Sequence, residues 1–90
     1  MSAPPVTVRY WAAARAAAGV AEDRLPVEGE LTLEDVVRRV LDLHPVDRLP
    51  DLIKICSVLV GDQPAGTRPP EQVPVRPGDT VEFLPPFAGG

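Results

Sequence analysis

One amphipathic segment in the middle of the chain constrains the fold more than any other feature. Apolar side chains recur there at helical spacing from Leu33 to Leu41, and charged side chains fill the opposite face. Thr32 is placed to cap this helix, and His44-Pro45 ends it, because a proline disfavours helical geometry in the preceding residue. A long helix with a single apolar stripe is expected to cover one face of one sheet.

The strands of that sheet are predicted at both ends of the chain. Residues 6–11 and 80–84 alternate apolar and polar side chains, and residues 57–60 form a continuous apolar run. Two shorter strands are predicted at residues 25–27 and 63–65. Two shorter helices are predicted at residues 12–18 and 49–56. The fold class is therefore α+β, with a sheet of four to five strands and one main helix on one face.

Composition excludes several classes of function. The chain has 90 residues, which is the length of one small domain without room for a deep catalytic pocket. Its net charge is −4, with Lys54 as the single lysine and eight scattered arginines, and this argues against nucleic-acid binding. No run is long enough to span a membrane, and one cysteine cannot form an internal disulfide. A cytoplasmic location is expected.

The side chains that most often carry chemistry do not combine into a site. His44 has no second histidine and no cysteine pair near it, so we expect a loop residue and no metal site. Cys56 follows apolar residues and precedes a predicted strand, which indicates packing instead of nucleophilic chemistry. Asp62 and Asp79 lie in predicted turns, where aspartate bonds local backbone amides.

The end of the chain carries the strongest functional signal. The last six residues are Pro85-Pro86-Phe87-Ala88-Gly89-Gly90. Paired prolines remove two amide donors and favour an extended backbone, so strand pairing is expected to stop after Leu84. We therefore divide the chain into a domain at 1–84 and an extended tail at 85–90, which spans on the order of 20 Å.

Two terminal glycines leave the final carboxylate sterically open. A backbone without side chains can enter a channel too narrow for any other residue. A carboxylate is a poor electrophile, but a mixed anhydride with AMP is reactive, and a sulfur nucleophile that displaces AMP would leave a thiocarboxylate. The alternative is an ordinary chain terminus, since chain ends are often rich in small residues.

The sequence resembles the ubiquitin-like β-grasp sulfur carriers, and within them the small subunits of molybdopterin synthase (MoaD), which are related to ThiS. Three segments carry the resemblance: residues 6–15 (VTVRYWAAAR), residues 78–84 (GDTVEFL) and residues 85–90 (PPFAGG). The resemblance implies a β-grasp fold with a mixed sheet, in which the first and last strands lie side by side and parallel.

The resemblance also implies a function. Gly90 would be adenylated and then thiocarboxylated, and residues Pro85, Pro86, Phe87, Ala88 and Gly89 would insert with it into a partner that builds molybdopterin. The implied partners are a MoaE-like large synthase subunit, a MoeB-like adenylyltransferase of the ubiquitin-activating type, and a sulfurtransferase. The chain would bind no cofactor, because the activating partner uses the ATP, and it would not be an enzyme on its own.

A docking surface is expected beside the tail. In the β-grasp arrangement Trp11 and Leu84 end neighbouring strands and point away from the helix, which predicts an exposed apolar patch for partners. Alternatively, Trp11 folds over the first helix as peripheral core. Phe87 is expected to anchor the tail against the partner, or to fold back on Leu84 in the free chain.

Two other functions remain open at the level of sequence. The chain could carry sulfur for thiamin or cysteine biosynthesis instead of molybdopterin. It could also be a ubiquitin-like modifier or interaction domain, whose tail forms amide bonds to lysines. A thiocarboxylate at Gly90 would indicate a sulfur carrier, and stable conjugates to other proteins would indicate a modifier.

Overall fold

The structure, a computed structural model, describes residues 3–86. Its strands are β1 (Val6–Tyr10), β2 (Glu22–Leu25), β3 (Leu31–Thr32), β4 (Ser57–Val60), β5 (Gln63–Pro64), β6 (Pro74–Val75) and β7 (Thr80–Leu84). Its helices are α1 (Ala12–Ala18), α2 (Leu33–Leu43) and α3 (Leu49–Ile55), with a 3₁₀ turn at Pro70–Gln72.

Five strands form one mixed sheet in the order β2-β1-β7-β4-β5. The first and last strands, β1 and β7, are parallel neighbours, and Tyr10 lies opposite Phe83. The pairs β1–β2, β4–β7 and β4–β5 are antiparallel. The predicted α+β fold and β-grasp sheet are therefore confirmed. Within residues 3–86, β3 and β6 form a separate two-stranded sheet that the sequence did not predict.

The core lies between one face of the sheet and the helices. The alternation predicted for the end strands is confirmed, because their inward side chains are buried and pack with those of α2 and α3. These buried residues are Val6, Val8, Tyr10, Val81 and Phe83 from the sheet, and Leu33, Val36, Val40, Leu49 and Ile53 from the helices. The opposite face of the sheet carries no helix in the described part of the chain.

The main helix begins and ends as predicted. The Thr32 hydroxyl accepts a 3.2 Å hydrogen bond from the Asp35 amide, and the Asp35 carboxylate accepts one of 3.0 Å from the Thr32 amide. This reciprocal capping box pairs two amides that a helix N-terminus otherwise leaves free. His44 forms the C-cap, and its amide donates to the Val40 carbonyl.

A sharp turn joins β1 to α1. Ala12 has φ of 49°, in the left-handed region, where a side chain is strained. Trp11 precedes it as the N-cap, with no side-chain bond to the helix amides. Gly19 ends α1 with φ of 80°, a left-handed cap that glycine adopts without strain.

Three short elements differ from their predicted bounds: β5 ends at Pro64 instead of residue 65, α3 ends at Ile55 instead of residue 56, and β2 differs most. The second strand was predicted at residues 25–27, but β2 ends at Leu25 and Val27 is buried beyond the strand. Pro26 explains the difference, because it has no amide to donate to a ladder. Strand β2 lies at an edge of the sheet, and Pro26 follows it directly.

Candidate functional site

The tail leaves the body at the middle of the five-stranded sheet. Strand β7 is paired with β1 on one side and with β4 on the other, and its last residue, Leu84, lies opposite Ser57. The Trp11 amide donates a 3.2 Å hydrogen bond to the Phe83 carbonyl. Pro85 is buried and Pro86 is exposed, so the chain separates from the body at Pro86.

The remaining predicted tail residues lie outside the described residues. These are Phe87, Ala88, Gly89 and Gly90. Their roles in insertion and in thiocarboxylate formation therefore stay predictions. The structure fixes the place from which they start, which is beside the ends of β1 and β7.

Strand register places a group of side chains on the uncovered face of the sheet. Arg9 lies opposite Glu82 on the parallel neighbour, and Leu59 lies opposite the same Glu82 on the antiparallel neighbour. Leu84, two residues after Glu82, shares this face because side chains alternate along a strand. We call Arg9, Trp11, Leu59, Glu82 and Leu84 the open-face patch. Leu59 was not predicted on this face, because residues 57–60 show no alternation that would separate the two faces of the strand.

The Trp11 ring is fixed on this patch by polar and cationic neighbours. Its indole Nε1 donates a 3.0 Å hydrogen bond to Glu82 Oε1, and the Arg9 guanidinium lies 5.0 Å from the ring centroid. Arg9 Nη1 is also 3.8 Å from the same Glu82 oxygen. The ring is 40% exposed. Trp11 is therefore an exposed aromatic side chain held in a defined orientation, which is typical of residues that contact protein partners.

A partly buried polar cluster lies on the other side of the sheet. The Tyr10 hydroxyl donates a 2.8 Å hydrogen bond to Asp23 Oδ2, and His44 Nε2 lies 2.5 Å from the same oxygen. Burial, with the bond to Asp23 and its negative charge, raises the pKa of Tyr10 far above its ordinary value. The Tyr10 ring stacks on Phe83 with centroids 6.2 Å apart.

This cluster joins β1, β2 and the end of α2, and so it supports the strand next to β7. His44 was predicted only as a loop residue, and the cluster was not predicted. Tyr10 is 13 positions from Asp23, and His44 is 21 positions from Asp23. No local sequence pattern therefore indicates the cluster. Among residues 3–86 no group of three or more His, Cys, Asp or Glu side chains could hold a metal ion.

The single cysteine is a packing residue, as predicted. Its Sγ donates a 3.2 Å hydrogen bond to the Leu52 carbonyl, and the side chain is half-buried against the core. Burial raises the pKa of the Cys56 thiol to about 11. The thiol is neutral at physiological pH, and a neutral thiol is a weak nucleophile.

Comparison with known proteins agrees with this arrangement. The molybdopterin synthase sulfur carrier subunit of Chlamydomonas reinhardtii is 28% identical over 85 residues, which cover 94% of this chain and 98% of that protein. Among solved structures, SAMP1 of Haloferax volcanii, a small archaeal modifier protein, matches with a TM-score of 0.78 and 20% identity. The match covers 96% of this chain and 99% of SAMP1.

A complex of subunits 1 and 2 of molybdopterin-converting factor from Helicobacter pylori also contains a similar chain. Its TM-score is 0.62 at 20% identity, covering 96% of this chain and 99% of that one. No helix described in the structure is long and apolar enough to cross a bilayer.

The model of the ThiS family matches residues 8–90, almost the whole sequence. The chain therefore belongs to the ThiS family.

Proposed function

We propose that this chain is a sulfur carrier that serves as the small subunit of a molybdopterin synthase. The observation that carries the proposal is the place where the tail leaves the domain. The chain leaves a central, doubly paired strand at Pro86, beside an open-face patch that contains Trp11. A partner that covers this patch would receive the following residues, which end in Gly89-Gly90.

The chemistry belongs to Gly90 and to the partners. A MoeB-like adenylyltransferase would join the Gly90 carboxylate to AMP from ATP and release pyrophosphate. Sulfide supplied by a sulfurtransferase would then form a carbon–sulfur bond while the carbon–oxygen bond to AMP breaks and AMP leaves. The resulting thiocarboxylate would donate its sulfur to the pterin precursor inside a MoaE-like large subunit. This chain would supply the reactive carboxylate, the tail that carries the carboxylate into the partner, and the docking surface.

Two similarities support the molybdopterin role. The relative from Chlamydomonas reinhardtii is named as a molybdopterin synthase sulfur carrier subunit. The structural neighbour from Helicobacter pylori is recorded in a complex of two subunits of molybdopterin-converting factor. Both suit a carrier that docks on a larger subunit through its tail and open face.

A second candidate is a protein modifier. The structural likeness to SAMP1, which is named as a modifier, favours it. In that case the activated Gly90 carbonyl would be attacked by a lysine amine of another protein, and an amide would form. A sulfur carrier for thiamin or cysteine biosynthesis would share the thiocarboxylate but use a different acceptor.

One experiment tests the proposal. The chain is incubated with the activating enzyme, ATP and a sulfur source, and its intact mass is then measured. Replacement of one oxygen by sulfur supports a carrier, whereas stable conjugates without that replacement support the modifier. Affinity capture with the full chain then identifies the acceptor. Recovery of a pterin-binding large subunit is expected, and recovery of a thiazole or cysteine synthase in its place would contradict the molybdopterin role.

A further inference from the structure

Strand β2 forms one edge of the five-stranded sheet, and within residues 3–86 it has a neighbour, β1, on one side only. The Tyr10 amide donates a 2.9 Å hydrogen bond to the Ala21 carbonyl, and in an antiparallel ladder such bonded pairs alternate with unbonded ones. The backbone groups of Ala21 and Asp23 therefore face β1, whereas the amides and carbonyls of Glu22 and Arg24 face outward. An open edge of this kind is a template for a further strand.

The side chains at this edge carry opposite charges. Glu22 and Arg24 both point to the open face of the sheet, because they are two residues apart on a strand. Their side chains are 44% and 73% exposed, and Arg24 Nε lies 3.8 Å from Glu22 Oε2. An ion pair this long and this exposed contributes little to stability, so both charges remain available to an oppositely charged neighbour.

We propose that this edge pairs with the same edge of a second copy, so that two β2 strands run antiparallel across a two-fold axis and the two sheets join. When Asp23 lies opposite itself, Glu22 faces Arg24 of the second copy and Arg24 faces its Glu22. The same register lets both outward amides of each chain donate to the outward carbonyls of the other. One surface is then complementary to itself in backbone bonding and in charge, as a two-fold interface requires.

The other registers are less favourable. A shift by one residue brings outward backbone groups opposite groups that already bond β1, and it turns the faces over. A shift by two residues in one direction places Glu22 opposite Glu22. The same shift in the other direction places Arg24 opposite Arg24, and it needs an amide from Pro26, which has none. The sequence of the edge therefore selects the register centred on Asp23.

Asp23 itself limits the strength of this pairing. Its two copies lie beside the axis on the helix side of the sheet, and like charges directly opposite each other are destabilising. Each carboxylate is bonded within its own chain by the Tyr10 hydroxyl and by His44, and the Asp23 side chain is only 21% exposed. Because the edge is also short, with four residues in β2, the association is expected to be weak and reversible.

Pairing through β2 leaves the open-face patch uncovered, because β7 is the third strand from this edge. A two-fold axis perpendicular to the joined sheet places both open faces on the same side. The two β7 strands then lie about 24 Å apart and run in opposite directions. A pair of chains would thus offer two docking surfaces together to a partner that is itself two-fold symmetric. The pairing does not depend on the proposed sulfur chemistry.

Charge exchange tests the pairing in the full chain. Sedimentation equilibrium over about a hundred-fold range of concentration is expected to show monomers and dimers in reversible exchange. Glu22→Arg and Arg24→Glu should each weaken dimerisation by about tenfold, because each places like charges opposite one another at two positions. An equimolar mixture of these two variants should dimerise like the wild type, since opposite charges meet again. Glu71→Arg, the same charge change at an exposed position in the 3₁₀ turn, is the control and should have no effect.

Two further measurements locate the contact and guard against loss of fold. The double variant Glu22→Arg/Arg24→Glu keeps both charges in exchanged positions and should dimerise like the wild type. In hydrogen exchange, the amides of Glu22 and Arg24 should gain protection as the protein concentration rises. The amide of Asp23, which already faces β1, should not.

Several outcomes would overturn the proposal. One is a wild type that stays monomeric throughout the concentration range. Another is dimerisation that neither single variant weakens, or that their mixture fails to restore, since a second copy would then bind elsewhere. Protection of the edge amides only when a different protein is added would assign the edge to another strand. All of these measurements use the isolated chain and do not involve Gly90, so their failure leaves the proposed sulfur chemistry unaffected.

Discussion

The Trp11 indole donates a hydrogen bond of 3.0 Å to the Glu82 carboxylate, although the two residues are 71 positions apart in sequence. The bond crosses from the end of β1 to β7 on the face that no helix covers in residues 3–86. It fixes an aromatic ring at 40% exposure beside the root of the tail. Because the ring is held before any partner arrives, little side-chain entropy remains to be lost on binding.

Trp11→Ala is therefore expected to weaken binding to the large subunit by roughly 30-fold, or about 2 kcal/mol, as for an aromatic residue at the centre of an interface. Stability should change little, because the ring is outside the core. Isothermal titration calorimetry measures the affinity, and urea denaturation checks the fold. Leu43→Ala is the matched control, since Leu43 is 53% exposed at the end of α2, away from the open-face patch. Equal losses in both variants would contradict a docking role for Trp11.

The second prediction concerns the end of the tail. Gly90→Val, or one alanine added after Gly90, is expected to reduce thiocarboxylate formation below the detection limit of intact-mass analysis, because a β-carbon obstructs a channel shaped for bare backbone. Leu43→Ala serves as the control, since it keeps the whole tail and changes an exposed residue at the end of α2. Undiminished sulfur loading of the Val variant would show that the reactive group is not the one proposed.

The third prediction concerns the strained turn into α1. Ala12→Gly is expected to stabilise the protein by about 1 kcal/mol, because glycine adopts a positive φ without the steric penalty that alanine has there. Ala12 is exposed, so no packing is lost. Ala16→Gly, an exposed position within the same helix, should instead destabilise it by about 0.5–1 kcal/mol. Urea denaturation of the two variants measures both signs, and destabilisation by Ala12→Gly would refute the strain.

The fourth prediction concerns pH. Hydrogen bonds from the Thr32 amide and then from its hydroxyl hold the pKa of Asp35 below its ordinary value of 3.8. A lowered pKa in the folded state means that the contribution to stability is complete above the ordinary value. This contribution to stability is lost as the pH falls from 3.8 through the lower pKa that Asp35 has in the folded state.

Asp35→Asn should therefore lower stability near neutral pH and flatten the acid limb of the stability curve. Asp42→Asn removes the same charge near the other end of α2, outside the capping box, and is the matched charge control. Urea unfolding across a series of acidic buffers gives both curves. Identical curves for the Asp35 variant and the wild type would contradict the role of the capping box.

The fifth prediction concerns Cys56. With its pKa raised to about 11 by burial, the thiol should react with iodoacetamide far more slowly than a cysteine in a short peptide at neutral pH. Its rate should still be rising at pH values where the peptide rate has reached a plateau. Cys56→Ala should accept sulfur at Gly90 like the wild type. A loss of sulfur loading in that variant would assign the cysteine a chemical role that the geometry does not support.

Periodicity predicted most of the fold. The alternation in β1 and β7 and the apolar stripe of α2 indicated which side chains are buried, since burial is what imposes those periods. Strands β3 and β6 have two residues each, too few to show any period, and β2 consists of charged residues up to Leu25. Their positions are set by tertiary packing, which local sequence does not record.

The site was predicted unevenly for a similar reason. Trp11 could be placed on the uncovered face by counting residues from Val6, and the tail prolines indicated where pairing ends. The positions of Leu59 and of the Tyr10–Asp23–His44 cluster could not be predicted, because each depends on which strands become neighbours. Contacts of this kind follow from sheet order, and sheet order came from the family resemblance instead of from composition or spacing.

The central position of β7 has a mechanical consequence under the proposed function, in which partners take up the tail. A partner that draws the tail into a channel pulls along β7, and the parallel strand β1 resists that pull through a row of hydrogen bonds loaded together in shear. An edge strand would instead be peeled away one bond at a time. Under the proposed function, each pull on the tail would therefore load β7 without separating this last strand from the sheet.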